Sequence, residues 1–212
     1  WRASCPKAGT TWLRFLIANC LSTDAAPLAI NQINLNSPYP VMKGFLDEES
    51  FVDPDLLSLD EANLLRASVM EDFVQRCSTV NFIKVHDKYD VDAGGMPLLG
   101  RGDSWSALYI VRDPRDVAVS MSFHHNITLD DSIKMLNNPQ SSIGWSRNGR
   151  HKHVPQRVGD WSTHVRSWIN QSNLSIHVLR YEDLQAEPVG TFGAAAAFAG
   201  LEVESERMER AV

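Results

Sequence analysis

Residues 6–11, PKAGTT, place a lysine, a lone glycine and two threonines ahead of Trp12, Leu13, Leu16 and Ile17, which recur at helical spacing. That order suits anion binding. Gly9 permits a close turn, the amides that follow can face a ligand, and the helix behind them points its positive end at it. Lys7 adds a discrete charge, and Thr10 and Thr11 add hydroxyl donors. The competing reading is an ordinary strand-to-helix turn. Loops that hold ATP carry lysine directly after their last glycine, followed by Ser or Thr. Here the lysine precedes the only glycine, which disfavours an ATP-dependent kinase. Trp12 either stacks on a planar base or packs with Leu16 in the core.

Lys84 and His86 stand two apart in STVNFIKVH and share a face if that chain is extended. An imidazole with a near-neutral reference pKa can take a proton from an alcohol or phenol, and a neighbouring ammonium can neutralise developing negative charge. The plainer reading of His86 is a structural or solvent-facing histidine, and Asp87 either orients it or caps a turn. Arg112 follows the apolar run SALYIV, where a guanidinium can grip an anion through a directional fork. Ser120, two helical turns on, either adds a hydroxyl nearby or is a routine helix serine. Arg115 reads as a partner for Asp113, Asp116 or another surface acid, and Arg14 as a solvated or salt-bridged helix residue. His124 and His125 end a helix, where its dipole favours them. His151, His153, His164 and His177 complete no metal motif with the cysteines, so no metal is expected.

Bringing these groups together takes a scaffold of alternating elements. Residues 1–5 read as the end of a short strand and 10–21 as a helix, while 31–54, rich in Asn, Pro, Ser and Gly, read as an irregular insertion or short elements. Ser58 and Glu61 predict a capping box opening a helix over 59–76, with Leu64, Leu65, Val69 and Phe73 on its packed side. STVNFIKVH, through Val80, Phe82, Ile83 and Val85, and SALYIV read as core strands. Between them DVDAGGMPLLGRGD carries turn signals at Gly94, Gly95 and Pro97. Asp113 and Pro114 open the helix PRDVAVSMSFHH. A short helix is expected over 129–136. Residues 137–158, with Trp145, Arg147, Arg150, Lys152 and Arg157, read as a polar, basic connection or a lid. A helix through Trp161, Val165, Trp168 and Ile169, the strand LSIHVLRY and a helix in PVGTFGAAAAFAG follow, and LEVESERMERAV looks like the start of another. The pattern predicts an α/β fold, a mostly parallel central sheet flanked by helices. Ligands of such sheets gather beyond the strand carboxyl ends. The loops beginning at Cys5, Lys84, Arg112 and Tyr181 are therefore candidates for one shared site.

The chain has 212 residues, enough for one domain with a sizeable core, and its 43% hydrophobic and 22% charged content suits a soluble globular protein. No run reaches the ~18 apolar residues of a membrane span. An excess of 26 acidic over 20 basic residues argues against an extended nucleic-acid surface while allowing a local anion pocket. Cys5, Cys20 and Cys77 are odd in number and lack metal-ligand spacing, so they are expected to be reduced, as in the cytoplasm. Trp1 begins without a methionine and no obvious closing element follows Leu201. A single domain over 1–212, incomplete at both ends, is expected.

Together, CPKAGTTWL, FIKVH, YIVRDPRDVAVS, GDWSTHVRSW and LRYEDL resemble the sulfotransferase family that uses 3'-phosphoadenosine 5'-phosphosulfate, especially its cytosolic-type small-molecule branch. The blocks occur in family order. The resemblance implies a fold like that of the P-loop nucleotide hydrolases. It implies that Lys7, Ala8, Gly9, Thr10 and Thr11 hold the 5' phosphosulfate end, with Trp12 against the adenine. It implies that Arg112 and Ser120 bind the 3' phosphate and that Tyr181 approaches the base. Lys84 and His86 match the reaction-centre lysine and general base, for in-line transfer of a sulfuryl group to a small hydroxylated acceptor. Lys7 would stabilise the leaving phosphate of 3'-phosphoadenosine 5'-phosphate, and the scheme needs neither metal nor nucleic acid. Asp113, Asp116, Glu182 and Asp183 would brace loops, and Trp161 and Trp168 would pack the core. Residues 31–54, 94–103 and 137–158 would supply the acceptor wall, with Trp145 and Met96 either touching acceptor or packing their loops. The family's closing segment, rich in Lys or Arg and glycine and followed by an Asp-Trp pair, has no counterpart after Leu201. Two alternatives share the sheet and the anion loop: a phosphoryl-transferring nucleotide enzyme, and a noncatalytic nucleotide-binding module.

Overall fold

The computed structural model describes residues 1–212 other than 25, 34, 36, 37, 92–94, 102–104 and 145–151. In chain order its elements are β1 (Arg2–Ala3), α1 (Thr10–Leu21), α2 (Lys43–Ser50), α3 (Leu59–Arg76), β2 (Lys84–Val85), β3 (Ser106–Val111), α4 (Pro114–His125), α5 (Leu129–Leu136), β4 (Ser142–Ile143), β5 (Gln156–Arg157), α6 (Trp161–Ile169), β6 (Ser175–Arg180), α7 (Tyr181–Ala186), α8 (Pro188–Phe198) and α9 (Ser205–Ala211). Short 3-10 turns occupy Ile30–Gln32 and Pro54–Leu56. Four strands form one parallel sheet in the order β2-β1-β3-β6, and β4 pairs antiparallel with β5 apart from it. The expected α/β architecture is present.

Side-chain alternation along the strands divides the core in two. Phe82, Leu108, Ile110 and Leu179 pack with Leu13 and Ile17 of α1, Phe192 of α8 and Met208 of α9. Ala3, Ile83, Val85, Ala107 and Tyr109 pack on the other face with Met70 of α3 and Trp168 of α6. The same alternation sends Lys84 toward α1 with Phe82, and Asp87 toward α3 with Val85. A smaller cluster of Cys5, Val117, Ala118, Met121 and Leu136 ties α4 and α5 to the loop after β1.

Local signals act as their chemistry predicts. Ser58 Oγ accepts from Glu61 N at 3.3 Å and Glu61 Oε2 accepts from Ser58 N at 2.8 Å, a capping box for α3. Asp113 accepts from Arg115 N at 2.9 Å to cap α4, with Pro114 in the first turn. Two expectations need correction. Leu64 is exposed, because α3 turns Ala62, Arg66, Ala67, Val69 and Met70 inward so that Arg66 reaches Asp87. Val80 is exposed, because it precedes the register in which β2 pairs with β1. The expected helix through Trp161, Val165, Trp168 and Ile169 is present as α6, with Trp168 buried and Ile169 exposed at its end. Trp145, Arg147, Arg150, His151, Gly94 and Asp103, singled out above, lie outside the described residues.

Candidate active site

After β1 the chain turns through residues 4–9 into α1 with positive φ at two positions, 69° at Lys7 and 117° at Gly9. Gly9 is required for a second reason. A Cβ there would stand 2.6 Å from Tyr181 Cδ2 and 3.0 Å from Ile110 Cδ1. The amino end of α1 is thereby pressed against the first residue of α7. Ala8 and Thr10 are buried, Lys7 is half-buried and Thr11 is exposed. Trp12 meets Tyr181 edge-on, with ring centroids 5.4 Å apart, and packs partly into the core. Gly9→Ala is expected to cost about 1–3 kcal/mol through strain and this clash, read as a lower urea midpoint.

Arg112, one residue beyond β3, lays its guanidinium over the Tyr181 ring, Cζ lying 4.2 Å from the centroid. Its Nε is buried without a hydrogen-bond partner, and Asp116 Oδ2 stands 3.9 Å away. Ser120 lies one turn beyond Asp116 on α4, half-buried. Glu182 Oε1 accepts from Asp113 N at 2.8 Å and so ties α7 to the start of α4, while Asp183 pairs with Arg180 at 3.1 Å. Gly9 and Trp12, at the start of α1, and Arg112, just after β3, thus converge on Tyr181.

His86 is 7% exposed, just past the carboxyl end of β2. Its Nδ1 lies 2.9 Å from the Ser4 carbonyl oxygen and 3.3 Å from Ser4 Oγ. A carbonyl only accepts, so Nδ1 carries the proton and Nε2 keeps its lone pair. Burial, and then the Lys84 charge, lower the His86 pKa to about 3 against the opposing pull of the Ser4 bond, leaving a neutral imidazole. Its main chain is held on both sides. The amide donates to Gln156 Oε1 at 2.9 Å, and the carbonyl accepts from His164 Nε2 at 3.2 Å. His164 Nδ1 must then accept from the Tyr109 hydroxyl, 2.9 Å away.

Lys84 is half-buried, its Nζ 5.9 Å from the centroid of Tyr39. Asp87 neither orients the His86 ring nor caps a turn. Its Oδ2 pairs with Arg66 Nη1 at 3.1 Å, its Oδ1 accepts from Arg157 N at 2.9 Å, and its carbonyl accepts from Trp168 Nε1 at 3.0 Å. Burial raises the Asp87 pKa, with Arg66 acting in the opposite direction. Met96 lines a cavity of about 410 Å³ with Asn63, Ala67 and Arg157, on the α3 side rather than beside Lys84. Among the described residues no group of three or more His, Cys, Asp or Glu side chains could hold a metal ion.

The Gln156 and His164 supports escaped the sequence reading. One signal existed: His164 falls on the stripe of Trp161, Val165 and Trp168, a core-facing place where an imidazole needs partners for both nitrogens.

Compared with known families, the profile described as the sulfotransferase domain matches residues 1–212. The chain belongs to the sulfotransferase family. This sulfotransferase chain is 30% identical to Sulfotransferase 2A6 of Rattus norvegicus over 104 residues, 48% of its own length and 34% of the relative's. With Sulfotransferase 4A1 of Mus musculus it shares 23% identity over 210 residues, 99% of this chain and 62% of the other. It therefore spans less than two thirds of the length of these relatives. The crystal structure of mouse sulfotransferase SULT7A1 complexed with PAP matches at a TM-score of 0.53 and 19% identity, over 99% of this chain and 60% of that one. Retinol dehydratase in complex with androsterone and the inactive cofactor PAP matches at 0.53 and 22%, over 99% and 62%. At such identities these structures establish the fold.

Proposed function

We propose that this domain transfers a sulfuryl group from 3'-phosphoadenosine 5'-phosphosulfate to a hydroxyl of a small-molecule acceptor. One observation carries the reading: the Lys7–Gly9 turn, Lys84, a neutral His86 and Arg112 gather at the carboxyl edge of three neighbouring strands. The residues fit an anionic nucleotide. The Gly9 turn brings main-chain amides close, and Arg112 Nε is a buried donor lacking an acceptor, which a phosphate oxygen would supply through a charge-assisted bond. Lys7, Ala8, Gly9, Thr10 and Thr11 hold the 5' end, Trp12 lies against the base, which Tyr181 approaches, and Arg112 and Ser120 take the 3' phosphate. PAP in two solved relatives supports this assignment.

The donor supplies the electrophilic sulfur. His86 takes the acceptor proton at Nε2 while the Ser4 carbonyl holds Nδ1–H in place. Lys7 and the loop amides stabilise negative charge growing on the phosphate oxygen, and Lys84 assists at the same centre. The domain acts as one unit in the cytoplasm, where Cys5, Cys20 and Cys77, free here, stay thiols. No described helix is long and apolar enough to cross a membrane. Calorimetric titration with PAP tests the donor site. Arg112→Gln is expected to bind about 10–100-fold more weakly than the parent, the loss of a charged hydrogen bond. Equal affinity would remove Arg112 from the site.

A further inference from the structure

The proposed reaction leaves two cations beside its centre without a task. Arg2 lies within β1 at 5% exposure, in register with Lys84 of β2. Residues in register on neighbouring strands share a face, so both project toward α1, which carries Arg14. Arg2 Nε donates to the Phe82 carbonyl at 3.2 Å, but its Nη1 is buried and has no hydrogen-bond partner. Arg14 is exposed and donates through Nη2 to the Ile33 carbonyl at 2.7 Å, on the segment that leads to Tyr39 beside Lys84.

Among the described residues none of Arg2, Lys7, Arg14 and Lys84 pairs with a carboxylate, although acidic residues outnumber basic ones 26 to 20 in the chain. The four charges act on one another. Burial and then Arg2, Arg14 and Lys7 lower the Lys84 pKa, and burial and Arg14 lower that of Arg2 to about 10. A guanidinium in a core strand is unfavourable against an apolar residue unless a partner compensates its charge. Lys7 and Lys84 face the transferred group in the proposed reaction. Arg2 and Arg14 do not.

We infer that Arg2 and Arg14 form a subsite for an anionic group on the acceptor, a carboxylate or phosphate carried by the same molecule whose hydroxyl is sulfated. The guanidinium fork of Arg2 suits such planar or tetrahedral oxyanions. Calling the occupant an acceptor rests on the proposed sulfuryl transfer. The presence of an anion subsite does not.

The probes are 4-hydroxybenzoate and 4-hydroxyphenylacetate, each beside its neutral methyl ester, and 4-hydroxyphenyl phosphate beside its neutral dimethyl ester. In the parent, with PAP bound, at least one acid should raise the melting midpoint above its ester, and with donor its kcat/KM should exceed the ester's by about tenfold or more. Arg2→Met should bring that ratio to within about twofold and abolish the thermal shift, with PAP affinity unchanged, and Arg14→Met should lower the ratio. Because Arg2→Met removes an uncompensated buried charge, it should melt at or above the parent temperature, whereas loss of a merely structural arginine would lower it. The inference is overturned if no acid is preferred, if Arg2→Met leaves the preference intact, or if it weakens PAP instead, which would assign Arg2 to the donor. An Arg2-dependent thermal shift without sulfated product would keep the anion subsite and sink the transfer reading. Sulfation of esters and acids alike would do the reverse.

Discussion

His86→Gln is expected to lower kcat for the proposed sulfuryl transfer by about 10²–10⁴-fold and to leave PAP affinity within about twofold of the parent. The expectation follows from the tautomer. The Ser4 carbonyl takes the Nδ1 proton, so the one lone pair available for catalysis is on Nε2, and a glutamine amide cannot act as a base there. The pH profile of kcat/KM checks the same point in the parent. A histidine with its ordinary pKa of 6.5 would give an acid limb near that value. With burial and Lys84 lowering the His86 pKa to about 3, the imidazole stays unprotonated and the limb lies below about pH 5. A limb centred near 6.5 would show that His86 is solvated or is not the base.

The largest loss of stability should come from Asp87→Ala, about 3–5 kcal/mol by urea denaturation. Arg66 and Asp87 have side chains only 2% and 1% exposed, and Arg66 Nε and Nη2 already lack partners. Removing the carboxylate leaves a buried cation uncompensated and strips Arg157 N of its acceptor. The Arg66→Met/Asp87→Leu double variant removes both charges and should recover to within about 1–2 kcal/mol of the parent, a coupling that a double-mutant cycle reads directly. A double variant as weak as Asp87→Ala would mean that the Arg157 amide bond, rather than the ion pair, carries the loss.

The sheet was legible because apolar runs, caps and the alternation of elements all point to one architecture, and because catalytic residue types fall where predicted strands end. Residue types at strand ends locate Lys7, His86 and Arg112 along the chain. They do not say what stands behind them. Tyr181 serves as the common surface for Gly9, Trp12 and Arg112, a relation created by the β1-β3-β6 order and invisible in any single segment. Gln156 and His164 reach His86 across sequence separations of 70 and 78 residues, so no local spacing announces them. The inward face of α3 misled for a related reason. Leu64 and Leu65 outweigh Arg66 in any apolar count, yet the helix turns to match Arg66 with a carboxylate 21 residues away. Asp87 was hard to place for the same reason, its partner lying across the sheet from the histidine beside it.

The most direct measurement uses donor carrying radiolabelled sulfur, the purified domain and a panel of small hydroxylated acceptors, with the product identified by mass spectrometry. Sulfuryl transfer predicts label on an acceptor hydroxyl, PAP released in equal amount, and both signals lost in His86→Gln. PAP binding with no labelled product from any acceptor, or ATP turnover in its place, would contradict it.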